Sequence, residues 1–123
     1  MAVRVYDYQV LSGTLTLSSL NTETTIVEVT GDGTHPFMVE GWVDLSALAS
    51  GDSVTVTEYV CVDGSNYQVF LSSDFSGAQD MPILHFHMKT FLPSQKYKIT
   101  INQTAGTLRS FPYAFIVELL EKT

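Results

Sequence analysis

Residues 96–102 read Lys-Tyr-Lys-Ile-Thr-Ile-Asn. Tyr97, Ile99 and Ile101 fall on one side of this stretch, and Lys96, Lys98 and Thr100 on the other. Successive side chains of an extended chain point to opposite faces, so strict alternation marks a half-buried β-strand. The same period runs outward in both directions. Ser53–Val62 is the strongest strand, with Val54, Val56, Val60 and Val62 on one face and Asp63-Gly64 closing it in a turn. Its hairpin partner is expected at Tyr67–Ser72. Ile83–Phe91 is expected to bury Leu84, Phe86 and Met88 and to turn Ile83, His85, His87 and Lys89 outward.

Toward the N-terminus, Phe37–Leu45 buries Phe37, Val39, Val43 and Leu45 and presents Met38, Glu40, Trp42 and Asp44 on its other face. Thr24–Thr30 carries Val27 and Val29 together. Val5–Leu11 sets Tyr6, Tyr8 and Val10 on one side, Gly13 is read as a break, and Leu15 and Leu17 of the next stretch point inward. Tyr113–Leu120 is apolar on both faces. Its spacing admits a helix, but its Tyr, Phe, Ile and Val content favours a strand that is either central or covered by another subunit.

Eight or nine short strands at regular spacing predict an all-β fold, an antiparallel two-sheet β-sandwich with jelly-roll or Greek-key connections. The chain has 123 residues, enough for a single domain over 1–123, with 1–22 as an N-terminal strand or arm. Two sheets of about four strands leave up to four edges to protect; charged or Pro-flanked edges guard some, and assembly with neighbours would guard the rest.

Composition narrows function. Thirteen acidic residues against six basic ones give a net charge of −7, which disfavours a nucleic-acid footprint. Charged residues are only 15%, too few for disorder by charge. No run of about 18 apolar residues occurs, so no membrane-spanning helix is expected. The one cysteine, Cys61, cannot form an intrachain disulfide. The opening MAVRVYDYQVLSG has no apolar core or cleavage site of a signal peptide, so synthesis in the cytoplasm without export is expected.

Four features bear on chemistry. His85 and His87 share a strand face, a spacing that suits two ligands of a transition metal. The cupin His-x-His pattern requires an acid shortly after, whereas Met88, Lys89, Thr90 and Phe91 follow here and no acid appears before Glu118. Lys89 would also repel a cation on that face. No cofactor and no metal are therefore expected, and the alternative for the pair is an exposed face or a subunit contact. Glu58 falls among the valines of its strand, so it is either paired in the interior or displaced by a bulge. Trp42, with Met38 near it, and Tyr59 and Tyr67 could stack on sugar rings as a glycan platform or anchor a protein interface. Met38, Trp42, Tyr59, Tyr67, His85 and His87 are the candidate binding residues; none is assigned a catalytic role.

The strand succession from Thr24 to Glu121, together with Gly51–Phe70 (GDSVTVTEYVCVDGSNYQVF) and Tyr97–Phe115 (YKITINQTAGTLRSFPYAF), resembles small jelly-roll-like virion structural proteins of phages and archaeal viruses. The resemblance covers about four-fifths of the chain. It implies a seven- or eight-stranded jelly roll with an extra N-terminal strand. It further implies a non-enzymatic role in a virus particle, as capsid shell, capsid decoration or fibre component. The partners would be copies of the chain itself and other virion proteins, and the location the virion. A stand-alone carbohydrate-binding module is the first alternative, and a cupin-like metal-dependent enzyme using His85 and His87 the second.

Overall fold

A computed structural model describes residues 2–123. Eight strands follow one another: β1 (Val3–Thr16), β2 (Thr24–Thr30), β3 (Phe37–Asp44), β4 (Ser53–Cys61), β5 (Gln68–Ser76), β6 (Ile83–Phe91), β7 (Lys96–Ala105) and β8 (Ser110–Lys122). They form two four-stranded sheets, a first in the order β1-β8-β3-β6 and a second in the order β2-β7-β4-β5. Every pairing is antiparallel. Among the described residues no helix is long and apolar enough to cross a membrane.

The order has a simple origin. β4 pairs with β5, β3 with β6, β2 with β7 and β1 with β8. These are the rungs of one long hairpin folded about the β4–β5 turn, rolled so that successive rungs fall in alternate sheets. That wrapping is the jelly roll. Gly64, at φ 82°, sits in the central turn, where Asp63 Oδ1 accepts the backbone N–H groups of Ser65 and Asn66 at 2.8 Å each. The first strand is not an addition to the roll: β1 is its outermost rung. Gly13 does not break it either, because β1 stays in register with β8 from Asp7 through Thr16.

The inner faces meet over Phe37, Val39, Val43, Val54, Val56, Phe86, Phe91, Tyr97, Ile99, Ile101, Phe111, Phe115 and Val117, all buried. Every residue that alternation placed inside β3 and β7 is there. Tyr113–Leu120 is strand, inside β8, and it is apolar on both faces because β8 lies between β1 and β3. Gly41 of β3 lies against Phe115 and the Ala114 carbonyl of β8, and any side chain there would overlap both.

β6 departs from the expected pattern. Between the pairs Val39↔Lys89 and Gly41↔Phe86, β6 advances three residues while β3 advances two. This extra residue is a β-bulge, and it inverts the alternation beyond it. Met88, expected inside, is therefore 47% exposed. Lys89, expected outside, instead reaches inward. Val62 lies past the end of β4 and is exposed rather than continuing the valine face.

Candidate functional site: an aromatic sheet face

The outer face of the first sheet gathers four of the six candidate residues. β3 carries Met38, Glu40 and Trp42 outward by alternation, and register sets Trp42 beside His85 of β6 and Ala114 of β8. The Trp42 and His85 rings lie 4.3 Å apart between centroids, and the His87 ring meets His85 edge-on at 4.9 Å. His85 Nε2 is 2.8 Å from Glu40 Oε2, so the acid missing from the sequence after His87 arrives laterally, from the neighbouring strand. Met38 lies toward the other end of β3, opposite Glu118 and Thr90.

Beside this group the face is apolar. Val10 of β1, Ala114 and Ile116 of β8, and Trp42 line a shallow depression floored by Gly41 and Phe115. Trp42 is 51% exposed, Val10 59% and Tyr8 64%. The arrangement supplies a flat stacking surface with one imidazole–carboxylate pair at its rim. Among the described residues no group of three or more His, Cys, Asp or Glu is placed to hold a metal ion. His35, the third imidazole, is held at 2.7 Å by Asp32 Oδ2 and stacked on Tyr6.

Tyr59 and Tyr67 are on the opposite side of the molecule, on the second sheet. The Tyr59 hydroxyl donates to Glu23, and the Tyr67 hydroxyl to Glu28 Oε2 at 2.7 Å. Lys98 Nζ lies 5.0 Å from the Tyr59 ring centroid and 4.5 Å from that of Tyr67, a cation–π arrangement. The hydrogen bond from Thr100, then that from Tyr59, holds Glu23 below the usual carboxylate range. The Glu23 bond pushes the Tyr59 phenol up, and burial followed by the Glu28 bond does the same to Tyr67. Both hydroxyls stay protonated donors, and the ammonium occupies space over both rings.

Glu58 keeps its inward direction and is 5% exposed. The register shift beside it places the extra residue, Phe70, on β5. The Tyr97 hydroxyl donates to Glu58 Oε1, and Lys89 Nζ reaches the same oxygen at 2.9 Å from the opposite sheet. Burial first, and the Glu58 carboxylate second, pushes the Tyr97 phenol far up. Glu58 lines a cleft of about 230 Å³ between β5 and β6, walled by Leu71, Phe75, Ile83 and Leu84. The inversion of β6 that brings Lys89 inward left no mark in the sequence. That Tyr8 and Val10 share a side was readable from parity; that this side is exposed and extends the Trp42 face required the β1–β8–β3 order.

No protein-family model matches the sequence. No curated protein matches it either. Solved structures do share the fold. A subunit from Bacillus endospore appendages, described as a novel family of disulfide-linked pili, is similar at a TM-score of 0.54 and 12% identity over 91% of this chain and 88% of that one. The PBSX exported protein XepA is similar at 0.53 and 8% identity over 93% of this chain and 37% of that one. VP2 of the infectious bursal disease virus subviral particle is similar at 0.51 and 14% identity over 94% of this chain. The chain spans 32% of the length of that VP2 chain. At these identities the shared property is the fold, a jelly-roll-like sandwich found in virus-particle and pilus subunits.

Proposed function

We propose that this chain is a non-enzymatic structural subunit that works by self-association in a virus particle, as shell, decoration or fibre component. The observation that carries the reading is where its apolar surface lies. Tyr8, Val10 and Trp42 are solvent-exposed on one contiguous sheet face, and Val69, Phe70 and Leu71 are exposed on an edge strand at the opposite flank. Exposed apolar patches of this kind, on a face and at edges, mark surfaces meant to be covered. The fold shared with virus-particle and pilus subunits supports the same class of role. Size-exclusion chromatography with light scattering tests it: an assembly is expected at micromolar concentration, and a strictly monomeric chain there would overturn it.

A second reading, a glycan-binding module, is favoured by the half-exposed Trp42 ring flanked by His85 and Glu40, an aromatic plane with polar groups at its rim. Trp42 is the only tryptophan, so its fluorescence reports that face directly. Quenching by oligosaccharides supports this reading, and no response across a broad glycan panel removes it.

A further inference from the structure

A sheet edge presents unpaired N–H and C=O groups, and proteins guard such edges with charge, proline, bulges or shortness. The two sheets have four edges: β1 and β6 in the first, β2 and β5 in the second. Three are guarded. β2 is seven residues long, with a register shift near Ile26 and Glu28 on it. β6 carries the bulge before Lys89. β5 is interrupted at Phe70 and carries Asp74. β1 is fourteen residues long, and after its single shift near Tyr6 it runs unbroken from Asp7 to Thr16. Within that run Tyr8–Thr16 (YQVLSGTLT) has no charge and no proline.

We propose that Tyr8–Thr16 of β1 pairs antiparallel with the same stretch of a second copy across a two-fold axis, joining the two first sheets into one of eight strands. This deepens the self-association reading and rests on it. A copy is the fitting occupant on charge grounds. A chain of net charge −7 repels itself over most of its surface, and this edge is a long strip where that repulsion is absent. With the axis at Ser12, Tyr8 faces Thr16 of the partner subunit and Val10 faces Thr14 of the partner subunit. The two Asp7 carboxylates then stand about 33 Å apart, at about 3.3 Å per residue, beyond the reach of screened repulsion. Tyr8 is 64% exposed and Val10 59%, and both lie within the paired stretch, so the pairing would cover apolar side chain as well as open backbone. Both Trp42 faces would lie on the same side of the joined sheet.

The test combines hydrogen exchange with two variants. In wild-type protein at assembling concentration, alternate amides within Tyr8–Thr16 are expected to exchange at least about tenfold more slowly than in dilute, monomeric protein. Ser12→Lys/Thr14→Lys, with an unchanged circular-dichroism spectrum, is expected to be monomeric. Trp42→Glu, on the other exposed face, is expected to keep the β1 protection and at least the mass of the pair, whatever it does to larger assemblies. If the lysine variant does not fold, the wild-type exchange pattern alone decides. Association that survives the two lysines, or is lost only in Trp42→Glu while β1 amides exchange freely, overturns the edge pairing and leaves self-association standing. A wild-type chain that is monomeric throughout overturns both.

Discussion

Lys89→Met is the most informative single substitution. Lys89 Nζ crosses from the edge of the first sheet to Glu58 Oε1 of the second at 2.9 Å, and it also sits 5.4 Å from the Tyr97 ring centroid and 5.5 Å from that of Phe70. Methionine keeps most of the stem and deletes the charge. Glu58 then remains in the interior with only the Tyr97 hydroxyl as donor among the described residues. Removing one partner of a buried ion pair costs about 3–5 kcal/mol. The lysine side chain is 19% exposed and the tyrosine bond survives, so the expected loss is about 2–4 kcal/mol. For a domain of this size that lowers Tm by about 6–15 °C and the urea midpoint by about 1–2 M. Glu58→Gln in the same background keeps an acceptor for Tyr97 and removes the orphaned charge. The double variant is therefore expected to recover at least about half of the loss, because the penalty belongs to an unpaired charge rather than to a missing contact. Urea unfolding of the wild type, both single variants and the double variant completes the cycle. A Lys89→Met loss below about 0.5 kcal/mol, or a double variant no better than Lys89→Met, would refute the inter-sheet pairing.

Three further outcomes are expected. Ile99→Ala, at a fully buried position of β7, should cost about 2–5 kcal/mol in urea unfolding, and a value under about 0.5 kcal/mol would contradict the assigned face. Gly41→Ala should destabilise through overlap with Phe115 and the Ala114 carbonyl, with Gly41→Ala/Phe115→Leu partly restored; an unchanged Tm for Gly41→Ala would show that β3 and β8 are not so closely apposed. Asp52 is held below the usual carboxylate range, first by the Arg109 Nε bond at 2.6 Å and then by the Ala49 N–H, so ionised Asp52 stabilises the fold above the unfolded carboxylate range near 4, and that stabilisation is lost as pH falls through its lower folded value. The gap in urea midpoint between wild type and Asp52→Asn should therefore shrink from pH 6 to pH 3, and a constant gap would count against it.

What was legible in the sequence was period, and what was not was register. Phe37, Val39, Val43, Tyr97, Ile99 and Ile101 all lie inside because alternation alone determines their face once the strand is recognised. Met88 and Lys89 exchanged places because one inserted residue in β6 inverts everything beyond it, and neither residue type announces a bulge. Gly13 suggested a break, yet a glycine inside a strand needs only a neighbouring strand to hold it, and β8 does. For the candidate site, the outward parity of Trp42 and the His85–His87 pair was visible. Glu40 as the partner of His85 was not, because that contact joins residues 45 apart through strand pairing. Tyr59, off the valine face by parity, and Tyr67 resembled Trp42 as candidates, but nothing in either says which sheet holds them; the second sheet does, each tied to a carboxylate.

The rolled hairpin also explains why association would concentrate where it does. Nested pairing places the outer rungs, β1 with β8 and β2 with β7, and the inner rungs, β4 with β5 and β3 with β6, at opposite flanks of the sandwich. Each flank ends in one edge from each sheet. At one flank β2 is short and Lys98 of β7 is drawn over Tyr59 and Tyr67, so β1 is left as the long bare edge. At the other, Lys89 bridges β6 to the second sheet, closing the base of the flank while Val69, Phe70 and Leu71 of β5 remain in solvent. The two exposed strands therefore differ in kind. β1 offers an unbroken ladder of backbone groups, suited to strand addition. β5, interrupted at Phe70 above an apolar cleft, offers side chains and a recess, suited to packing. If the proposed pairing holds, a subunit carrying both on opposite flanks would have one surface for pairing with a copy and another for meeting the next pair, and a particle or fibre needs two such surfaces to grow beyond a dimer.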